Sequence, residues 1–166
     1  MKLPDPLHPA IVHFPIVLIL FGTLFSVICI FVRRFSLPLF AAILLACGAA
    51  GAFTAVYTGE NAADNTGDLS KSVDHLLNEH AHYGEVTRNV STIAAVLAVA
   101  SACFSRRNTF SRSLAILTAV AACYASWNVY KAGKHGGMLV YDHGVSVKSV
   151  LQGDDAAPSP SPSTTP

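Results

Sequence analysis

The sequence has few charged residues. Asp, Glu, Lys and Arg together make up 13% of its 166 residues, whereas about 25% is usual for a soluble domain. Hydrophobic residues make up 52% of the chain, so a water-soluble globule is excluded and a membrane protein is indicated. The net charge is +1 and no long basic cluster is present, which excludes a nucleic-acid partner.

Cysteine motifs for metal or haem attachment are also missing. The four cysteines form no Cys-x-x-Cys pair and no Cys-x-x-Cys-His motif, so a zinc ribbon and a covalently attached haem are excluded. Each cysteine falls inside an apolar run, where we expect it to be a small core residue. The cysteines are Cys29, Cys47, Cys103 and Cys123.

Four long runs contain no Asp, Glu, Lys or Arg, and each is long enough to cross the membrane as a helix. A β-barrel is disfavoured because the runs are continuously apolar and do not alternate. The third and fourth runs are short, so we expect the ends of their helices to project beyond the lipid. The runs are Ala10–Val32, Phe35–Gly59, Asn89–Ser105 and Ser113–Tyr130.

Arginines without neighbouring acids indicate the orientation of these helices. They lie between the first and second runs and between the third and fourth, so the positive-inside rule places both loops in the cytoplasm. Both termini and the long loop 60–88 are then expected outside the cytoplasmic membrane. We expect one membrane domain at 1–152 and a disordered Pro/Ser-rich tail at 153–166. The arginines are Arg33, Arg34, Arg106, Arg107 and Arg112.

All seven histidines fall on the predicted outer side or just inside its membrane boundary. The alternative to a shared site is that they are solvated loop residues. They are His8, His13, His75, His80, His82, His135 and His143.

His13 differs from the others because it lies inside an apolar segment. An ionisable side chain at membrane depth usually faces the bundle interior and has a partner. We therefore expect His13 to be a ligand or a proton relay, with a structural hydrogen bond as the alternative.

The loop before the third run continues as a helical outer extension. At helical spacing His75, Glu79 and His82 share one face, whereas His80 points away. This face is either a metal or imidazole–carboxylate site or the polar side of an amphipathic helix.

After the fourth run, Gly136 and Gly137 are expected to end the helix. The residues that follow, 138–141, are then expected to be extended.

The two ends of the chain resemble the DUF2231 family of bacterial membrane proteins. The motifs are Leu7-His-Pro-Ala-Ile-Val-His-Phe-Pro-Ile and Gly136-Gly-Met-Leu-Val-Tyr-Asp-His-Gly-Val. The resemblance covers roughly residues 5–148 and implies a four-helix membrane domain of unknown function. Because the domain occurs in some bacteria beside cytochrome or Rieske-type modules, the resemblance also implies membrane redox work. Matching positions are His8, His13, Gly136, Gly137, Tyr141 and His143.

Three functions remain open from the sequence. The first is a b-type haem protein with two histidine ligands, because only two methionines are present. The second is a module for a zinc or copper ion. The third is a non-catalytic membrane subunit whose histidines contact a partner, and none of the three requires an enzymatic activity.

For a haem iron or metal ion we predict His13 and His82 as ligands, with His135 as the alternative to His82. His8 and His143 complete the predicted cofactor-binding set. The predicted partners are membrane lipid and a redox protein of cytochrome or Rieske type.

Overall fold

The computed structural model describes residues 8–32, 36–64, 69–104 and 109–145. The predicted tail, 153–166, lies outside the described residues. The helices are α1 (His8–Ile11), α2 (His13–Phe31), α3 (Ser36–Asp64), α4 (Lys71–Cys103) and α5 (Thr109–Tyr141). The single turn of α1 leads through Val12 into α2, and together they make one candidate membrane span. With α3, α4 and α5, four helices are long and apolar enough to cross a membrane, which confirms the predicted all-α bundle.

The four long helices pack in chain order around a ring, with α5 closing against α2. Neighbouring helices run in opposite directions, as the hydrogen bonds between Ser101 and Ser111 show where α4 ends and α5 begins. At the other end of the bundle α2 and α4 begin and α3 and α5 end. All seven histidines lie at this end, which we call the histidine end.

Glycines allow α2 and α3 to approach closely. A Cβ atom added to Gly22 would lie 2.8 Å from the side chain of Leu45, and one added to Gly48 would lie 2.9 Å from Ile19. Lipid is as apolar as these side chains, so close packing replaces the hydrophobic effect as the force between membrane helices. The glycines therefore set the distance between the two helices.

The helices α4 and α5 extend well beyond the apolar runs. Each has 33 residues and is about 50 Å long, whereas the hydrocarbon core is about 30 Å thick. At the histidine end Val73, Leu76 and Leu139 form a buried cluster. Where this cluster lies outside the lipid, burial of each side chain stabilises the fold by roughly 1.5–3 kcal/mol. The predicted helical extension before the third membrane helix is confirmed.

The prediction that Gly136 and Gly137 end the last helix is wrong. α5 continues to Tyr141, so the expected extended segment 138–141 is helical as well. The packing of Leu139 holds this turn in the helix. The left-handed residue that follows the helix is Gly144, with φ 63°, and the next residue, Val145, donates its N–H to the Leu139 carbonyl.

The expectation that the cysteines are core residues holds for one of the four. Cys29 is buried, whereas Cys47, Cys103 and Cys123 are exposed on the outside of the bundle. Inside the lipid an outward position costs an apolar side chain little. An apolar run therefore does not tell which of its residues face the core.

Candidate ligand site at the histidine end

His8 contacts α3 through a hydrogen bond between its ring and a threonine hydroxyl. Its Nδ1 lies 3.2 Å from Oγ1 of Thr58. The Thr58 hydroxyl donates its hydrogen to the carbonyls of Thr54 and Ala55, at 3.0 and 3.1 Å. We assign the proton of the His8 ring to Nδ1, because this tautomer lets the single Thr58 hydrogen stay on the helix carbonyls. The neutral ring then carries its free electron pair on Nε2.

His80 contacts α5 in an equivalent way. Its Nδ1 lies 2.8 Å from the carbonyl oxygen of Ala132. A carbonyl only accepts hydrogen bonds, so Nδ1 carries the proton and Nε2 of the neutral ring carries the free electron pair. Nδ1 of each ring thus bonds to a neighbouring helix, that of His8 to Thr58 of α3 and that of His80 to the Ala132 carbonyl of α5.

The two rings meet where α1 and α4 face each other across the bundle. The ring centroids of His8 and His80 are 6.1 Å apart, and the ring planes are nearly perpendicular, at 89°. Both rings are half-buried. The rings of His8 and His80, which we call the central pair, therefore bring two imidazoles to one place in the bundle, each with a free Nε2 electron pair in the assigned tautomer.

A glycine of a neighbouring helix lies against each ring. A Cβ atom at Gly59 would be 3.0 Å from Cε1 of His8, and one at Gly136 would be 3.0 Å from Cε1 of His80. Such a separation is shorter than most real Cβ contacts, so a larger residue at either position would displace the ring. This contact gives Gly136 a role in the helix interior that differs from the predicted helix cap.

A second cluster lies beside this pair, between α4 and α5. Nε2 of His135 is 3.1 Å from a carboxylate oxygen of Glu79. Its Nδ1 donates to the Lys131 carbonyl at 2.8 Å, and its ring stacks on Tyr83 at 5.2 Å. The Lys131 ammonium lies 5.7 Å from the centroids of the Tyr83 and Trp127 rings, which favours a cation–π contact.

The structure separates the predicted ligands His13 and His82. Both side chains are exposed, and no contact between them occurs among the described residues. The expectation that His13 faces the bundle interior is therefore wrong, and a ligand role for His13 or His82 stays a prediction. His75, Glu79 and His82 lie at the predicted spacing on one continuous helix, α4, and the contact that Glu79 makes is with His135 of α5.

The other predicted histidines differ in their positions. His8 is in the central pair and His135 is in the second cluster, whereas His143 is half-buried at the end of α5 without a described contact. His75 is exposed.

Sequence reasoning missed His80, although the spacing of buried residues contains the signal. Along α4 the buried positions recur every three or four residues, and His80 and Tyr83 fill the gap between Leu76 and Thr87 at this spacing. Along the span formed by α1 and α2, His8 lies two turns before the buried Pro15, whereas His13 lies two residues before it and faces outward.

The side chains that could together ligate one metal ion are few among the described residues. The described ranges contain no group of three or more His, Cys, Asp or Glu side chains that could hold one metal ion. Structural zinc sites use four protein ligands and catalytic ones three. The central pair supplies two.

Comparison with known proteins shows the family. The family model described as "Predicted membrane protein (DUF2231)" matches residues 4–149. No curated protein matches the chain. No solved structure matches it either.

Proposed function

Since the chain belongs to the DUF2231 family of predicted membrane proteins, we propose that this integral membrane protein is an electron carrier. In this proposal it holds a b-type haem through Nε2 of His8 and Nε2 of His80. The observation that carries the proposal is the shared tautomer of the two facing rings, since Nδ1 of each donates to the protein. A histidine that ligates a metal usually has its other nitrogen held in this way.

The number of donors favours haem over a bare ion. The porphyrin supplies four nitrogens, so a haem iron needs only two axial ligands from the protein. Two imidazoles on facing helices are a known way of building a cofactor site in a four-helix bundle. Gly59 and Gly136 keep the two rings in place, because neither has a Cβ atom that would displace the imidazole lying against it. A bound haem would supply reversible one-electron chemistry.

The residues around the pair have two tasks in this proposal. Thr58 and the Ala132 carbonyl keep each proton on Nδ1 and so keep Nε2 available. The exposed rings of Tyr57, Trp127 and Tyr130 are typical of the aromatic belt at a membrane interface. These rings support a position of the histidine end near the boundary between lipid and water, where a soluble partner can approach.

An absorption spectrum of the purified protein tests the proposal. We expect a Soret band and a haem that extracts without covalent bond cleavage, after expression with ample supply of haem precursor, zinc and copper. Metal analysis of the same sample covers the alternative from the sequence, a zinc or copper module. Protein that contains zinc or copper but no haem would contradict the haem proposal.

A second candidate is a non-catalytic subunit that uses its histidines to contact a partner. The observation that favours it is the exposure of His13, His75 and His82 at the same end of the bundle. A redox protein of cytochrome or Rieske type is the partner that the family resemblance suggests. Purified protein that lacks both haem and metal would favour this candidate.

We further propose that the histidine end faces the outside of a bacterial inner membrane. The arginines of the two acid-free loops belong to the opposite end of the bundle and are expected in the cytoplasm. In a variant without native cysteines, we expect Cys at Ser159 to react with an impermeant reagent from the outside. Cys at Thr109, the exposed first residue of α5, is the matched control and should react only from the cytoplasm. The reverse pattern would overturn the orientation.

A further inference from the structure

Glu79 and His135 are the sequence neighbours of His80 and Gly136, which contact each other between α4 and α5. Glu79 precedes His80 in α4, and His135 precedes Gly136 in α5. The two helices thus make adjacent cross-contacts at this level. One is the contact of Glu79 with His135, and the other is the contact of His80 with Ala132 and Gly136.

The ring of His135 is held from three sides. Its Nδ1 donates to its own helix at the Lys131 carbonyl, its Nε2 faces Glu79, and its ring plane lies 20° from that of Tyr83. Its side chain is only 12% exposed. Such a ring has little freedom to change its rotamer, so it provides a fixed point on α5.

This fixed point contacts α4 at two places on one side of the helix. Glu79 and Tyr83 are four residues apart and lie one above the other, and His80 lies between them in sequence. Two contacts on one side resist rotation of α4 about its axis. Such a rotation would carry Nδ1 of His80 away from the Ala132 carbonyl, which lies 2.8 Å from it.

We propose that Glu79 and His135 are a positioning pair for His80. Their contact keeps α4 at the rotation that lets His80 donate from Nδ1 and present Nε2. The pair itself does not touch the ligand. The inference rests on the proposed function in so far as His80 serves as a ligand, but the effect on the His80 ring is expected with or without haem.

Ring ¹⁵N resonances of the full chain in lipid nanodiscs test this role. The resonances of the two ring nitrogens of a histidine lie far apart when one tautomer is held, and they approach each other when the two tautomers interconvert. Comparison with the H80Q variant identifies the resonances of His80. We expect them to converge in E79A and H135A. The double variant should show no larger change than H135A, because H135A already removes the contact with Glu79.

Two further variants are matched controls. E79Q should resemble the wild type, since its amide donates to Nε2 of a neutral His135. E85A removes an exposed carboxylate of α4 and should change nothing. Alanine is a strong helix former and Glu79 is 43% exposed, so E79A should fold. In haem-loaded protein, E79A and H135A should weaken haem affinity about 10- to 100-fold.

The outcomes separate this inference from the haem proposal. Unchanged His80 resonances in E79A and H135A would overturn the positioning role, whether or not the wild type binds haem. The same holds if E85A changes them as much as E79A does. Converging resonances in a protein that takes up no haem would support the positioning role and contradict the haem proposal.

Discussion

The variants H8A and H80A are expected to lose the haem that we propose the wild type holds. Each removes one of the two proposed ligands, and the described part of the chain offers no third histidine, cysteine or carboxylate that could join them at one ion. Loss of an outer-shell partner alone typically costs 10- to 100-fold in affinity, so loss of a ligand should lower haem content by at least about tenfold. The measurement is the ratio of Soret absorbance to protein in purified samples.

Matched controls use histidines of the same end that face outward. H13A and H75A remove exposed imidazoles and should keep the haem. A circular dichroism spectrum with wild-type helix content would show that the loss in H8A and H80A is not caused by unfolding. Loss of haem in H13A and H82A, with full binding in H8A, would instead favour the ligand pair predicted from the sequence.

Replacement of Gly48 by Val is expected to destabilise the bundle strongly. The first added carbon would lie 2.9 Å from the Ile19 side chain, 3.2 Å from its backbone nitrogen and 3.3 Å from Cβ of Leu18. A helix backbone does not yield easily, so α2 and α3 must move apart. Overpacking of this kind typically costs 1–3 kcal/mol, occasionally more. We expect a lower free energy of unfolding in a denaturant titration in detergent.

The control for this prediction is Val at Ala50, two residues further along α3. Ala50 is exposed on the outside of the bundle, so its added methyl groups meet lipid, and we expect almost no change in the free energy of unfolding. Equal losses at positions 48 and 50 would show that the β-branched residue weakens α3 itself and that the close contact with α2 contributes little.

Much of the fold could be predicted because each membrane helix forms from the properties of its own segment of sequence. An uncharged run long enough to cross the membrane must satisfy its backbone hydrogen bonds internally, and a helix does so without any other part of the chain. The number of helices and the location of all seven histidines at one end follow from the runs and the loops between them. The helical extension before Asn89 follows from its polar helical spacing and is confirmed by α4, which begins at Lys71.

The partners of the histidines were decided by packing between helices. The apolar neighbours of His13 in sequence predict that it faces the bundle interior. In a membrane helix, however, the outside is as apolar as the inside. Hydrophobicity therefore cannot tell the two faces apart. The spacing of small residues does carry this information, and it places His8 on the inner side of its span and His13 on the outer side.

The sequence by itself determined the elements, since length, apolarity and the position of charges act within each segment. Only the tertiary structure decided that His80 meets His8, that Glu79 contacts His135, and that Gly136 lies inside a helix against an imidazole ring. These contacts depend on the rotation of each helix about its own axis, and that rotation is set by how all four helices pack together.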